Sequence, residues 1–345
     1  MRSAADEIAA LVAAQGVLRF DEYMRVALYG VNGFYVTGGS AGRRGDFITS
    51  PEGGPLFGAV LARFIVAEWE RLDRPGDFTV VEVGAGPGTL ARGISAALAP
   101  TPLSPRYVAV EVSTAQRRSH PAGIESCADL PDGPITGVVF ANELLDNLPF
   151  RLLVFDGGWR EAYIEVRDQR LVEVLHGCDQ LPSWLPPSAP HGARVPWQEE
   201  ASAWVRSARS ALVAGSLLVF DYATARTAWL ADRRGREWLR TYRRQERGGH
   251  YLSAPGEQDI TSQVAIDQLP EPDVVDSQQH FLLRWGIDEL VDEGRREWAA
   301  AAASPTLAAM TMRSRVREAE ALLDRDGLGG FQAMVWVAGG FDQLP

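Results

Sequence analysis

The order of apolar runs along this 345-residue chain predicts a doubly wound α/β fold. Three observations carry that expectation. Phe78–Val83 is an apolar, β-branched run that ends at Gly84, and helical spacing resumes from Thr89 to Leu98, giving strand, glycine turn, helix. Tyr107–Val112 and Ile135–Ala141 are two more such runs, of the kind a sheet covered on both faces requires. Helical segments alternate with these strands, which is the pattern of a parallel sheet.

Taken in order, Ile8–Val31 spaces Ile8, Leu11, Val12, Tyr23, Met24 and Leu28 at helical intervals and reads as two short helices. Glycines crowd the stretch from Gly30 to Gly54, and a loop of that length is more often functional than idle. Pro55–Arg71 is helical again, and the strand and helix pairs follow. Behind Ile135–Ala141 stand the polar clusters Asn142-Glu143 and Asp146-Asn147. From Leu152 to Leu175 apolar residues alternate around Asp156-Gly157-Gly158 and Asp168-Gln169, which predicts inserted antiparallel hairpins. A proline-rich loop (Pro182–Pro196), a helix (Glu199–Leu212) and a further strand (Ser216–Tyr222) come next. Arg233–Arg247 is a basic run carrying Trp238 and Tyr242, expected as a solvated helix. The chain closes with a helix from Thr306 to Leu323 and a strand from Phe331 to Ala338.

Composition removes several chemistries. All 34 basic residues are Arg, so there is no Walker A lysine, no pyridoxal Schiff base and no Ser-Lys dyad. Cys127 and Cys178 lie far apart and lack a C-x-x-C partner, and the five histidines show no ligand spacing, so no metal is expected. A net charge of −11 disfavours nucleic acid as a partner. Apolar stretches such as Leu56–Trp69 are interrupted by Arg63 and Glu68, so no membrane span is expected. With acids directly after Met1-Arg2, the start resembles no leader, and a cytoplasmic location follows by default.

The segment that carries chemistry is Glu82-Val83-Gly84-Ala85-Gly86-Pro87-Gly88-Thr89-Leu90. Alternating glycines directly after a strand let the chain turn sharply and let a ligand lie against bare backbone. A dinucleotide fingerprint would place its third glycine where Thr89 stands, which disfavours a nicotinamide oxidoreductase. Glu82 would repel a pyrophosphate but suits an ammonium group. Glu111, at the end of the second strand, lies about 20 residues beyond the loop, the spacing at which an acid grips ribose hydroxyls.

Together with Tyr23-Met24, Gly33-Phe34-Tyr35, Gly45-Asp46-Phe47-Ile48-Thr49-Ser50-Pro51-Glu52, Asn142-Glu143-Leu144-Leu145-Asp146, Pro255-Gly256, Asp259-Ile260-Thr261 and Phe281-Leu282-Leu283, this loop resembles the MidA-like class I methyltransferases. Relatives of that family include the mitochondrial complex I assembly arginine methyltransferase. The resemblance implies a seven-stranded Rossmann-like sheet, S-adenosyl-L-methionine as cofactor and, for the mitochondrial relative, an arginine acceptor. It implies a helical N-terminal cap with a cofactor-covering loop over residues 1–60, and a methyltransferase domain over 61–345 with insertions at about 150–198 and 224–270. Carried over residue by residue, Glu82, Gly84, Ala85, Gly86, Gly88, Glu111 and Asn142 are expected at the cofactor, with Asp46, Ser50 and Glu52 in the loop that closes over it. The chain departs from the family at Gly53-Gly54, Ala223, Gln263 and Ala265, where the acceptor is expected to be recognised.

Methyl transfer from a sulfonium is an in-line displacement that asks a protein mainly for alignment and exclusion of water. Glu143 and Asp146 are the candidates for positioning the acceptor, since paired carboxylates hold a guanidinium by bidentate hydrogen bonds. Asp146 could equally cap the next helix, and Asn142 could tie down the loop. A protein acceptor, an arginine among the options, is expected, with a small-molecule acceptor, a non-catalytic assembly scaffold and a homodimer left open.

Overall fold

Seven runs of the sequence pair into one mixed sheet: β1 (Thr79–Val83), β2 (Arg106–Val110), β3 (Glu125–Cys127), β4 (Ile135–Asn142), β5 (Leu212–Asp221), β6 (Val274–Ser277) and β7 (Gln332–Ala338). Their order is β6-β7-β5-β4-β1-β2-β3, and the crossing from β1 outward in both directions makes the sheet doubly wound. Strands β1 to β5 run parallel, whereas β7 is antiparallel to both β5 and β6. The sheet is therefore mixed where alternation alone predicted a parallel one. These coordinates belong to a computed structural model that describes residues 3–37, 54–131, 133–243, 246–301, 303–304 and 306–339.

The chain divides into two units, one of Ile48–Glu143, Ala208–Asp221 and Pro272–Pro345, the other of Met1–Phe47, Leu144–Ser207 and Tyr222–Glu271. The first contains the seven-stranded sheet with helices α1 (Pro55–Arg71), α2 (Thr89–Leu98), α3 (Thr114–Arg117), α4 (Gln278–Arg284), α5 (Ile287–Ala300) and α6 (Leu307–Leu323). Its core packs Leu56, Phe57, Phe64 and Ile65 of α1 and Leu90 and Ile94 of α2 with Val80, Val138, Phe140, Leu218 and Phe220 of the sheet. Two buried acids inside this layer are matched. Glu68 of α1, fully buried, accepts from Arg71 at 3.0 and 2.9 Å and from Ser216 Oγ of β5 at 2.6 Å. Glu318 of α6 accepts the Leu56 N–H at 2.9 Å, satisfying one of the orphan donors at the start of α1.

At the amino end of the sheet the strands meet without side chains between them. Gly137 of β4 pairs with Thr79 of β1 and Gly215 of β5, with φ of 147° and 123° at the two glycines. A Cβ on Gly215 would stand 1.8 Å from the Gly137 carbonyl oxygen, a backbone atom that cannot step aside without breaking the ladder. Gly215→Ala is therefore expected to destabilise the protein by roughly 3–5 kcal/mol, adding overpacking to a strained backbone. A urea melt within 1 kcal/mol of wild type, on the order of one hydrogen bond, would show that the three strands part easily.

The second unit has its own core of Ile8, Phe20, Tyr23 and Met24 with Phe150, Leu152, Leu153, Ile164, Val195, Trp238 and Ile260. The helices Ala4–Gln15 and Phe20–Tyr29 match the two expected, the first closed by a capping box between Ser3 and Asp6. Strand Trp159–Arg167 pairs antiparallel with Arg151–Phe155, with Arg170–Gly177 and with the short Leu18–Arg19, and Arg194–Trp197 pairs with Arg151–Phe155. The hairpins turn where Asp168 and Gln169 adopt φ of 49° and 60°. The basic run is not a helix. Only Gly235–Trp238 is helical, and Leu239–Arg243 is a strand between Glu246–Arg247 and Asp259–Ser262. The reason lies in its period: Leu239 and Thr241 are buried while Arg240 and Tyr242 are only half-buried, an alternation of two that the arginine count obscured.

Candidate functional site

The glycine loop joins β1 to α2, and its three glycines adopt φ of 73°, 54° and 75° at Gly84, Gly86 and Gly88. Each lies in the left-handed region that side chains disfavour, so the sequence alternates glycine because the turn demands it. The loop's donors are spent inward. The Gly84 and Ala85 N–H groups both donate to the Val110 carbonyl at 3.0 Å, and the Gly88 N–H donates to the Ala85 carbonyl at 2.9 Å. The Gly86 N–H donates to Glu111 Oε2 at 2.9 Å, while Ser113 N–H donates to Oε1 at 2.8 Å. Glu111, at the end of β2 and buried, is thereby brought against the loop.

Glu82 lies within β1 and is buried, with Tyr107 Oη of β2 donating to its carboxyl at 2.7 Å. Burial, opposed by that hydrogen bond and by Arg92 and aided by Glu111, pushes its carboxyl up to about 8. Burial beside Glu82 also raises the Tyr107 phenol well above its ordinary range. Among the described residues the Glu82 carboxyl is hydrogen-bonded by Tyr107.

At the carboxyl end of β4, one strand over from β1, Asn142 stands beyond the pair Val83 and Ala141. Its amide nitrogen donates to Glu143 Oε1 at 3.0 Å, and its buried amide oxygen has no hydrogen-bond partner among the described residues. Glu143 itself has φ of 52°, an uncommon conformation for a non-glycine residue, pinned by its N–H donating to the Phe220 carbonyl of β5 at 2.8 Å. Glu82, Gly84, Ala85, Gly86, Gly88, Glu111, Asn142 and Glu143 thus all belong to the carboxyl edge of β1, β2 and β4 or the loops leaving it, where open α/β sheets bind ligands. Asp46, Ser50 and Glu52 lie outside the described residues.

Asp146 belongs to the other unit, in the turn Leu145–Asn147, and is buried. Here the polar pair Asp146-Asn147 gathers partners that are distant in sequence. Asn147 Nδ2 donates to the carboxylate of Asp259 at 3.2 and 3.3 Å, and Tyr35 Oη and the Ile260 N–H donate to Asp259 Oδ1 at 2.9 Å each. Tyr29 Oη donates to the Asn147 carbonyl at 3.2 Å, and its ring stacks on Tyr35 with centroids 5.5 Å apart. Burial, then the charges of Asp259 and Asp146, holds the Tyr35 phenol well above its ordinary range. Tyr35, Asp146, Asn147 and Asp259 lie in or beside the motifs quoted above. Their convergence was invisible because Tyr35, Asp146 and Asp259 are distant in sequence.

Gln263 and Ala265, expected from the sequence where the acceptor is recognised, occupy a hydrogen-bonded network of the same unit. Gln263 Oε1 accepts from Arg233 at 2.6 Å, and its amide nitrogen donates to the Ala223 carbonyl at 3.2 Å. The Ala265 N–H donates to Gln198 Oε1 at 2.8 Å.

The profile of the family described as "Putative S-adenosyl-L-methionine-dependent methyltransferase" matches residues 60–278. Among curated proteins, protein arginine methyltransferase NDUFAF7 homolog, mitochondrial, of Drosophila melanogaster is 32% identical over 198 residues, covering 48% of this chain and 45% of that protein. Protein arginine methyltransferase NDUFAF7, mitochondrial, of Danio rerio is 27% identical over 340 residues, covering 83% of this chain and 77% of its own. With the fly protein, the match spans less than half of the relative's length. Among solved structures, a protein of Burkholderia thailandensis bound to S-adenosyl-homocysteine superposes with a TM-score of 0.81 at 27% identity, over 97% of this chain and 91% of that one. These relatives correct the cytoplasmic location expected from composition, because both curated proteins are named as mitochondrial. A default drawn from charge and an unremarkable start contains no address. No helix of the described residues is long and apolar enough to cross a membrane.

Proposed function

Since the chain belongs to this family of S-adenosyl-L-methionine-dependent methyltransferases and is an enzyme of that kind, we propose that its methyl acceptor is an arginine of a protein substrate. The observation that carries the cofactor's place is the left-handed glycine loop leashed through Gly86 to Glu111. The residues present fit the cofactor. Each Glu111 oxygen takes one backbone donor and keeps a lone-pair site for a ribose hydroxyl. The buried amide oxygen of Asn142, without a hydrogen-bond partner among the described residues, supplies an acceptor for the ammonium group, and the glycines allow close approach. The buried carboxylate of Glu111 disfavours a pyrophosphate at the same edge. We assign Asp46, Ser50 and Glu52 to covering the cofactor, on the family resemblance.

Bound there, S-adenosyl-L-methionine supplies an electrophilic methyl group on a sulfonium. The protein's part is to present the acceptor nitrogen in line and keep water out. Glu143 supports the acceptor role by its position: a residue held in a left-handed conformation at a ligand-binding sheet edge keeps that strain where the surroundings enforce it. Asp146 is proposed as its companion for a guanidinium, with the names of the curated relatives supporting arginine.

The test is transfer of a labelled methyl from S-adenosyl-L-methionine into proteins of the source cell, followed by acid hydrolysis and chromatography of the amino acids. Label in methylarginine is expected, falling at least about 100-fold in Glu143→Gln, the order expected when a group aligning the acceptor is removed. Label in another amino acid or a small molecule would overturn arginine, and full transfer by Glu143→Gln would remove that residue from the acceptor role.

A further inference from the structure

We propose that His120 is a positioning residue for the cofactor loop, acting with Glu111 as the second jaw of a clamp on Gly86. The proposal rests on the loop being the cofactor site and goes beyond it by assigning a role to a histidine outside every motif. His120 Nε2 lies 2.8 Å from the Gly86 carbonyl oxygen, and Ser126 Oγ lies 2.8 Å from Nδ1. A carbonyl can only accept, so Nε2 carries the proton; Nδ1 then holds the lone pair, and the Ser126 hydroxyl donates to it. The Gly86 carbonyl thereby sets the ring's tautomer, and Ser126, from β3, holds its orientation.

The effect is to hold one residue from both sides. The Gly86 N–H is fixed by Glu111 at 2.9 Å and its carbonyl by His120. Pro87 has no N–H to donate, so beyond Gly86 the loop is gripped by carbonyls: Arg92 Nη1 donates to the Pro87 carbonyl and to the Ser119 carbonyl, each at 3.1 Å. His120 is also in close range of Gly88, where a Cβ would meet its Cδ2 at 3.2 Å and Pro121 Cδ at 3.0 Å. His120 and Pro121 therefore back the loop from Gly86 to Gly88. Gly86 is the position whose φ of 54° a free chain would leave, and fixing it before the ligand arrives removes an ordering cost from binding.

The experiment is calorimetric titration with S-adenosyl-homocysteine, alongside KM and kcat for S-adenosyl-L-methionine and a thermal melt of each variant. His120→Ala is expected to weaken S-adenosyl-homocysteine binding about fivefold to tenfold, the equivalent of one hydrogen bond, and to raise KM by a similar factor with kcat unchanged. His120→Gln, whose amide nitrogen can donate to the same carbonyl, is expected to recover at least half of that loss in affinity. Wild-type affinity in His120→Ala overturns the proposal, as does a His120→Gln that folds but binds no better than the alanine variant. Should His120→Ala fail to fold, His120→Gln alone decides: affinity within about threefold of wild type supports the clamp, and a loss as large as tenfold overturns it. The loop assignment itself fails separately, through undiminished binding by Gly86→Val.

Discussion

Gly86→Val is expected to abolish binding of S-adenosyl-homocysteine, with an affinity loss of at least about 100-fold, while the protein stays folded. Gly86 has φ of 54°, and a β-branched side chain is a severe outlier in that region. The chain relieves the strain by turning the Gly86 peptide. That breaks both the bond from its N–H to Glu111 and the bond from His120 to its carbonyl, so the acid is released from its place beside the loop. Global stability should suffer less, because the nearest atom to a Cβ here is the flexible end of Gln116, 3.2 Å away, and not backbone. This contrasts with Gly215, whose neighbour is a strand carbonyl and whose substitution strikes the fold. A titration of Gly86→Val matching wild type would remove the loop from the cofactor site. Gly86→Ala should fall between, since alanine tolerates the left-handed region at about 1–2 kcal/mol.

The two glycines also mark what could be read from the sequence. Gly86 announces itself because the loop follows an apolar strand and precedes a helix, a local pattern in which every element lies within a few residues. Glu111 was legible at long range only because a strand and a helix between two parallel neighbours have a narrow range of lengths. The antiparallel β7 was not, since direction is set by how α4, α5 and α6 return the chain and not by the apolar run itself. The strand at Leu239–Arg243 was hidden because Arg240 and Arg243 bracket Thr241 and Tyr242, and a count of charge outweighed the burial of Leu239 and Thr241 on one face. His120 and Asp259 escaped for a further reason. A histidine that bonds one backbone carbonyl and one serine has no spacing signature, and Asp259 meets Tyr35 and Asn147 only after the chain has crossed a unit several times.

Glu82→Gln should make the protein more stable above neutral pH and leave it almost unchanged in acid. In the folded protein burial raises the Glu82 carboxyl from its ordinary 4.5 to about 8. A carboxyl whose folded value lies above its unfolded one contributes stability that is complete below about pH 4.5 and is lost as the pH climbs through 8. The wild type therefore weakens across that window and levels off above it, by an amount on the order of a few kcal/mol. Glutamine keeps an acceptor for Tyr107 Oη and has no charge to bury, so the difference in melting temperature between variant and wild type should widen from pH 5 to pH 8, a window set by the same two values. Ligand binding gives a second readout. If the carboxyl ionises when a cation binds near it, S-adenosyl-L-methionine binding by wild type at pH 7 must release a proton, seen as a calorimetric enthalpy that varies with the buffer's ionisation enthalpy. Affinity should then rise toward pH 8 and flatten beyond it, and Glu82→Gln should show neither effect. A stability gap that ignores pH would mean that Glu82 stays ionised in the folded protein, and the argument from burial would fall. A gap that follows pH without proton release would confine Glu82 to its bond with Tyr107 and place the cation's partner elsewhere, with Asn142 the first residue to substitute.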